Sequence, residues 1–244
     1  MQNTSPFDRV LLKREARDVM HSHRPSVFLV ALLFVAIEYI LNVLSMRLAY
    51  PNVDVDRLML YAEQPDRAIE AMTIMLDGGP GVLGYLLNLA VQIMEIMVQV
   101  GFVSFCLCAI RGMRAGYDRL FDAFGNFLRI LWLSVLQSVF IFLWSLLLIV
   151  PGIIAAYRYS QAIYLLLDDP DKSAMTCLQE SKQLTMGHKF ELFLLDLSFL
   201  GWQLLALLPF VSIYVDPYIT LTKANVYRAL SGRLEPPEHV DVVI

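Results

Sequence analysis

The chain has 244 residues, of which 57% are hydrophobic and 17% charged, and a net charge of −4. A soluble domain holds about 45–50% apolar and about 25% charged residues. A water-soluble fold of this length is therefore excluded, and without a concentrated excess of Lys and Arg the composition argues against a nucleic-acid partner. The excess apolar residues are gathered in blocks: residues 130–157 carry no charge at all. The lipid bilayer is the solvent this composition calls for.

Arg9, Lys13, Arg14, Arg17 and Arg24 precede the first apolar run, which begins at Val27. The polar lead is long and no small-x-small cleavage site follows the run, so the expectation is a retained first span rather than a removed signal. A spanning helix needs about 20 mainly apolar residues to cross ~30 Å of hydrocarbon. Segments 27–48, 82–110, 128–150 and 190–208 meet that requirement. Segment 153–167 covers only ~22 Å at ~1.5 Å per residue, and 211–230 contains Asp216, Pro217 and Lys223. The fold expected is all-α, a single polytopic membrane helical bundle over 1–244 with six transmembrane helices arranged as three hairpins with interfacial helices.

Orientation supports the two marginal spans. With six spans, the inside segments hold the five N-terminal basic residues, then Arg111, Arg114, Arg119 and Arg129, then Lys172, Lys182 and Lys189, then Lys223, Arg228 and Arg233, which is 15 of the 19 Lys and Arg. The long outer loop, 50–81, has Arg57 and Arg67 against Asp54, Asp56, Glu63, Asp66, Glu70 and Asp77. This is the positive-inside asymmetry, counted over short loops. Deleting the fourth span would put the lysines of 172–189 outside. Both termini are expected in the cytoplasm.

The connections carry local signals. Asp169-Pro170 reads as a helix N-cap with Pro at the first helical position, and Gly187 as the stop of that helix, giving an inner amphipathic helix over 170–186. Ala174, Cys177, Leu178, Ser181 and Leu184 recur at helical spacing, which lays this helix along the inner membrane surface. In the outer loop Ile69, Met72 and Leu76 form a weaker stripe that ends at Asp77-Gly78-Gly79-Pro80.

Trp144 to Pro151 and Trp202 to Pro209 align without a gap, and a basic amphipathic stretch precedes a span upstream of each. The segment before Val27 has the same layout. Three units follow, each an inner surface helix and a two-span hairpin.

Glu38, Glu95, Arg158, Asp196 and Asp216 fall within spans, where a central charge costs on the order of 2.5–3.5 kcal/mol and needs a partner or water. Glu38, Glu95, Arg158 and Asp216 are the candidate intramembrane polar site. Arg158 follows Pro151, and Asp216 follows Pro209, at the same spacing; the repeat places them at similar depth and suggests an ion pair. That pair is either a substrate or ion site at a helix interrupted by Asp216-Pro217, or a packing device with Asp216 capping a helix that starts at Pro217. Glu38 and Glu95, with Asn42, Gln92 and Gln99 at helical spacing beside them, form either a proton relay or interhelical hydrogen bonds. Asp196 is nearer the inner face, within reach of water or Lys189.

Catalytic and metal motifs are missing. Cys106, Cys108 and Cys177 have no metal-ligand or redox spacing, and His21, His23 and His188 belong to no His-Glu-x-x-His pattern. Asp168, Asp169 and Asp171 fit a capped helix start better than a Mg²⁺ site. The tyrosines and Trp132, Trp144 and Trp202 fit interface anchoring. No catalytic residue, no cofactor and no metal is expected.

Leu12-Lys13-Arg14-Glu15-Ala16-Arg17, the run from Leu143 through Pro151-Gly152-Ile153-Ile154 with Arg158-Tyr159, Glu180-Ser181-Lys182 with Gly187, Leu197-Ser198-Phe199-Leu200-Gly201-Trp202, and Pro217-Tyr218 with Ala224 and Tyr227 give the chain a family likeness. In these it resembles a bacterial family of uncharacterised integral membrane proteins, the domain of unknown function nine-seven-five, over nearly its whole length. The resemblance implies a six-helix plasma-membrane protein and supplies no activity. Leu208-Pro209-Phe210-Val211-Ser212 stands where the family has a Gly-rich turn.

The expected function is non-enzymatic: a multi-pass protein working through packing and partners, in envelope assembly or as an accessory subunit of a transport system, beside another membrane protein or a second copy of itself. The alternative is a small transporter or channel built on Glu38, Glu95, Arg158 and Asp216, which requires a water-accessible cavity lined by those acids. An intramembrane enzyme is a distant third.

Overall fold

A computed structural model of the chain describes residues 8–22, 26–49, 69, 81–113, 115–206 and 209–232. They are all-helical, with no strand among the described residues. In chain order the helices are α1 (Arg9–Ser22), α2 (Val27–Ala49), α3 (Val82–Ile110), a 3-10 helix (Tyr117–Asn126), α4 (Phe127–Leu147), α5 (Ile149–Tyr159), α6 (Ala162–Asp168), α7 (Ala174–Leu184), α8 (Lys189–Leu197), α9 (Leu200–Leu205) and α10 (Pro209–Ser231). The outer-loop segment 50–81, with its stripe and turn, lies outside the described residues except for Ile69 and Gly81.

Three helical stretches are long and apolar enough to cross a membrane: Val27–Ala49, Val82–Ile110 and Tyr117–Leu147. They coincide with the first three expected spans. The fourth and fifth do not form single helices. Segment 153–167 is divided between α5 and α6 at Ser160-Gln161, and 190–208 between α8 and α9 at Ser198-Phe199. The last span is continuous through Pro217, so Asp216-Pro217 neither interrupts α10 nor caps a new helix.

Internal contacts divide the chain into two compact units, Met1–Val35 with Met97–Ile244, and Ala36–Ile96. In the smaller unit Leu41 and Val91 are buried, and the Asn88 amide nitrogen donates to the Ser45 carbonyl at 2.8 Å and to its hydroxyl at 3.0 Å. This is the interhelical amide bond by which spans associate where water cannot compete.

In the larger unit α1 presents Leu12, Ala16 and Met20, one residue per turn, and packs along α10. Asp8 caps α1 by accepting the Val10 N–H at 2.9 Å and the Leu11 N–H at 3.3 Å. The end of α3 is turned by Gly112 at φ +69°, which lets the Met113 N–H reach the Cys108 carbonyl at 3.1 Å. Inside this unit Phe34 stacks on Phe102 at 4.3 Å, and Phe105, Phe199, Leu120 and Tyr227 are fully buried.

α4 and α5 form a tight hairpin around Leu148, whose extended backbone separates them. Gly152 makes this approach possible: a Cβ there would overlap the Ser145 side chain. The first Trp-to-Pro block thus crosses a helix-to-helix turn, with Pro151 in the first turn of α5, and the second ends at Pro209, the first residue of α10. A shorter helix precedes a longer one at α1–α2 and at the 3-10 helix and α4, whereas α7, of 11 residues, is longer than α8, of 9.

α7 differs from expectation at its start. Its N-cap is Ser173, which accepts the Thr176 N–H at 3.1 Å, and Asp169-Pro170 instead begins the turn leading to it. Its expected stripe is present: Ala174, Cys177, Leu178 and Ser181 are buried. They face α4, α5 and α6, so the stripe meets protein rather than lipid. Gly187, at φ +86°, ends the segment as expected.

Candidate functional site

The break between α5 and α6 is the polar centre of the larger unit. Ser160 bends back and donates its hydroxyl to the Tyr157 carbonyl at 2.9 Å, a local bond that competes with helix continuation. The interruption frees the Arg158 carbonyl and the Gln161 N–H, and one side chain of α7 serves both. Ser181 donates to the Arg158 carbonyl at 2.9 Å and accepts from the Gln161 N–H at 3.1 Å. Thr185 adds a second bond to the Arg158 carbonyl at 3.3 Å. A broken helix is tolerated in lipid only where protein satisfies its freed backbone groups, and α7 supplies that.

The break opens onto a cavity of about 230 Å³ whose wall includes Tyr157, Ser160, Gln161, Tyr164, Asp196 and Lys223. Asp196, one residue before the end of α8, pairs with Lys223 of α10 at 3.2 Å. The expected partner, Lys189, is therefore replaced by a lysine from another helix.

A second cluster lies where the C-terminal ends of α3, α6 and α10 meet. Asp168 is almost fully buried, 3% exposed at its side chain, and is bonded to Arg111 at 2.6 Å and to the Tyr227 hydroxyl at 2.6 Å. Burial is the largest single influence on Arg111 and works against its charge, but the Asp168 hydrogen bond, the Asp168 charge and the smaller influences of Tyr227 and Cys108 together outweigh it, and the guanidinium pKa is raised. The next residue along α10, Arg228, bonds Glu15 of α1 at 2.6 Å and the Ile110 carbonyl at 3.2 Å, and the buried Asn225 donates to the Leu12 carbonyl at 3.1 Å. Lys13 reaches the Ser198 hydroxyl at 2.6 Å and lies over the Phe199 ring at 4.1 Å. Asp171 pairs with Arg129 at 2.9 Å, and Asp169 accepts the Asp171 N–H. The acidic run thus meets arginine, tyrosine and backbone, and no group of metal-ligating side chains is found among the described residues.

Of the four residues expected to form a polar site, two belong to each unit. Glu38 and Glu95 are half-buried in the smaller unit. Arg158 and Asp216, both in the larger unit, form no ion pair. The Arg158 guanidinium lies 5.7 Å from the centre of the Trp144 ring, within cation–π range, and Asp216 is half-buried on α10. At the corresponding place in the next repeat Trp202 meets Tyr214 and Tyr218, each at 6.2 Å, which flank the Asp216 position. None of the four lines the cavity at the α5–α6 break. Of the amides expected near the glutamates, Gln92 donates to Asn88 at 3.0 Å, while Asn42 and Gln99 are exposed.

Sequence reasoning missed Gln161, Lys223 as a partner for Asp196, the Arg111–Asp168–Tyr227 triad and Asn88. Ser160-Gln161, two polar residues inside a short apolar segment, was the available signal for the break.

These features define a class: an all-helical protein with three helices fit to cross a membrane and polar clusters that join its own helices. Residues 145–234 match the family model described as "Protein of unknown function (DUF975)". The match begins inside the α4–α5 hairpin and takes in both helix breaks and most of the cluster around Asp168. It includes the Pro151-Gly152-Ile153-Ile154 and Ser198-Phe199-Leu200-Gly201-Trp202 blocks, but not the Leu12–Arg17 stretch, so the likeness is carried by the C-terminal part rather than by nearly the whole chain. No curated protein and no solved structure matches the chain.

Proposed function

We propose that the protein is a non-enzymatic, multi-pass protein of the bacterial plasma membrane that crosses the bilayer six times with both termini in the cytoplasm. It acts through packing, as an accessory subunit of a transport system or in envelope assembly, beside another membrane protein or a second copy of itself. In this reading α5 with α6, α8 with α9, and α10 are the fourth to sixth crossings. The two interrupted ones are carried by the protein packed around their breaks.

The observation that carries this reading is how the ionisable residues are used. Arg111 with Asp168, Arg228 with Glu15 and Lys223 with Asp196 each tie one helix of the chain to another. Residues 142–150, at the other end of the α4–α5 hairpin, are exposed and almost wholly apolar, a surface suited to lipid. The test is reconstitution of the purified protein alone into liposomes. The expected result is no flux of Na⁺, K⁺ or protons above that of empty vesicles; flux would contradict the reading.

The second reading, a small transporter or channel, draws on the cavity at the α5–α6 break. It does not draw on Glu38, Glu95, Arg158 and Asp216, because those four do not line that cavity.

A further inference from the structure

α1 carries more positive charge than its surroundings neutralise. Arg9, Lys13 and Arg17 stand at i, i+4 and i+8, one above another along a single face, and Arg14 is exposed beside them. The carboxylates of the helix do little for this row. Glu15 is taken by Arg228 at 2.6 Å, and Asp18 is exposed about 100° round the helix from Arg17. Among the described residues the side chains of Arg9, Arg14 and Arg17 make no hydrogen bond or ion pair.

Lys13, in the middle of the row, meets a neutral partner and an aromatic face. Its Nζ donates to the Ser198 hydroxyl at 2.6 Å and lies 4.1 Å from the centre of the Phe199 ring. The carboxylate nearest to Ser198 in sequence, Asp196, is held by Lys223. Partial burial, then the charges of Arg9 and Arg17, lower the Lys13 pKa below its ordinary 10.5. Three like charges thus repel one another, with no anion of the described residues between them.

The place of the row selects the kind of anion. α1 ends at Ser22, and α2, the first helix fit to cross a membrane, begins at Val27. The link between them can span at most ~17 Å, which keeps α1 close to the level of the lipid headgroups. Val10 and Leu11, 66% and 51% exposed, add apolar surface next to Arg9 and Arg14. A free phosphate gains nothing from that surface, whereas an acyl chain does. Basic clusters beside a spanning helix attract acidic lipid headgroups for the same two reasons, charge and proximity.

We propose that the Arg9–Lys13–Arg17 row binds the phosphate of an anionic phospholipid headgroup, with Arg14 at its edge and Val10 and Leu11 against the acyl chains. Binding here requires the membrane placement but not the scaffold role. A chain that stays monodisperse without detergent contradicts the membrane placement itself. A chain that needs detergent but does not distinguish lipids contradicts only this site.

The test is native mass spectrometry of the full chain released from detergent micelles, titrated with phosphatidylglycerol, with phosphatidylcholine of the same acyl chains, and with inorganic phosphate. Phosphatidylglycerol binds at least about tenfold more tightly than either of the others. Arg9→Gln combined with Arg17→Gln, at two exposed positions, keeps the thermal midpoint and loses about tenfold or more in affinity for phosphatidylglycerol. Lys182→Gln combined with Lys189→Gln removes the same charge from another basic segment and keeps the parent affinity. If the arginine double variant does not fold, Arg17→Gln alone decides, with a loss of about threefold or more expected. The proposal is overturned if phosphatidylcholine or inorganic phosphate binds as tightly as phosphatidylglycerol, if the folded arginine variant keeps the parent affinity, or if the lysine variant loses as much.

Discussion

Ser181 donates its hydroxyl hydrogen to the carbonyl of Arg158 at 2.9 Å, and the same oxygen receives the Gln161 N–H at 3.1 Å, so one buried side chain spans the gap between α5 and α6. Ser181→Ala strips the Gln161 N–H of its partner and leaves the Arg158 carbonyl with only the longer Thr185 bond. The expected cost is about 1–3 kcal/mol, read as a lower unfolding midpoint in detergent. Adding Thr185→Val should cost more than the sum of the two single changes, because each hydroxyl backs up the other on one carbonyl.

The Arg111–Asp168–Tyr227 triad gives a ranked pair of variants. Asp168→Ala leaves the Arg111 guanidinium, 18% exposed, without its anion and should cost about 3–5 kcal/mol. Tyr227→Phe removes one bond to the same carboxylate and should cost about 1.5–3 kcal/mol. Thermal unfolding of the two purified variants checks the order; equal losses would mean that the ion pair contributes little.

Close packing at Gly101 is testable by adding a single methyl group. A Cβ there would overlap the backbone carbonyl of Leu120, so Gly101→Ala should cost about 1–3 kcal/mol, as overpacking does. Gly125, in the 3-10 helix, has nothing within 4 Å of an added Cβ, and Gly125→Ala should leave the unfolding midpoint unchanged.

Cys177 is buried on the inward face of α7, and burial, with Glu180 nearby, pushes its thiol pKa above the ordinary 9.0. Because the thiolate is the reactive form, alkylation should be slow in the folded protein at pH 8 and fast after unfolding. An acid whose folded pKa is raised is stabilising below its unfolded pKa and loses that contribution as pH rises. Stability should therefore fall as pH rises above about 9, and Cys177→Ala should remove part of that fall, measured by denaturation across pH 8 to 11.

The long helices were legible because about 20 consecutive apolar residues have one common solution in lipid, and the α1 and α7 stripes because helical spacing marks a buried face. The breaks were not legible. Segments 153–167 and 190–208 read as single spans in spite of Ser160-Gln161 in the first and Asp196 in the second, and what allows the first to break is Ser181, distant in sequence and adjacent only after folding. The Arg158–Asp216 pair failed for a related reason: repeat alignment gives depth along a helix but not the direction a residue faces. Lys223 could be placed on the inner side by charge counting, yet its pairing with Asp196 depends on how α8 meets α10. Asp169-Pro170 satisfied the local rules for a helix start, but Ser173 holds the cap.

The measurement that bears most directly on six crossings with cytoplasmic ends is topology mapping in a bacterial host, with paired alkaline phosphatase and green fluorescent protein fusions at Gly81, Gly112, Gly187 and Gly232. The account predicts phosphatase activity only at Gly81 and fluorescence at the other three. Phosphatase activity at Gly187 or Gly232 would show that the interrupted helices do not complete their crossings, and would contradict it.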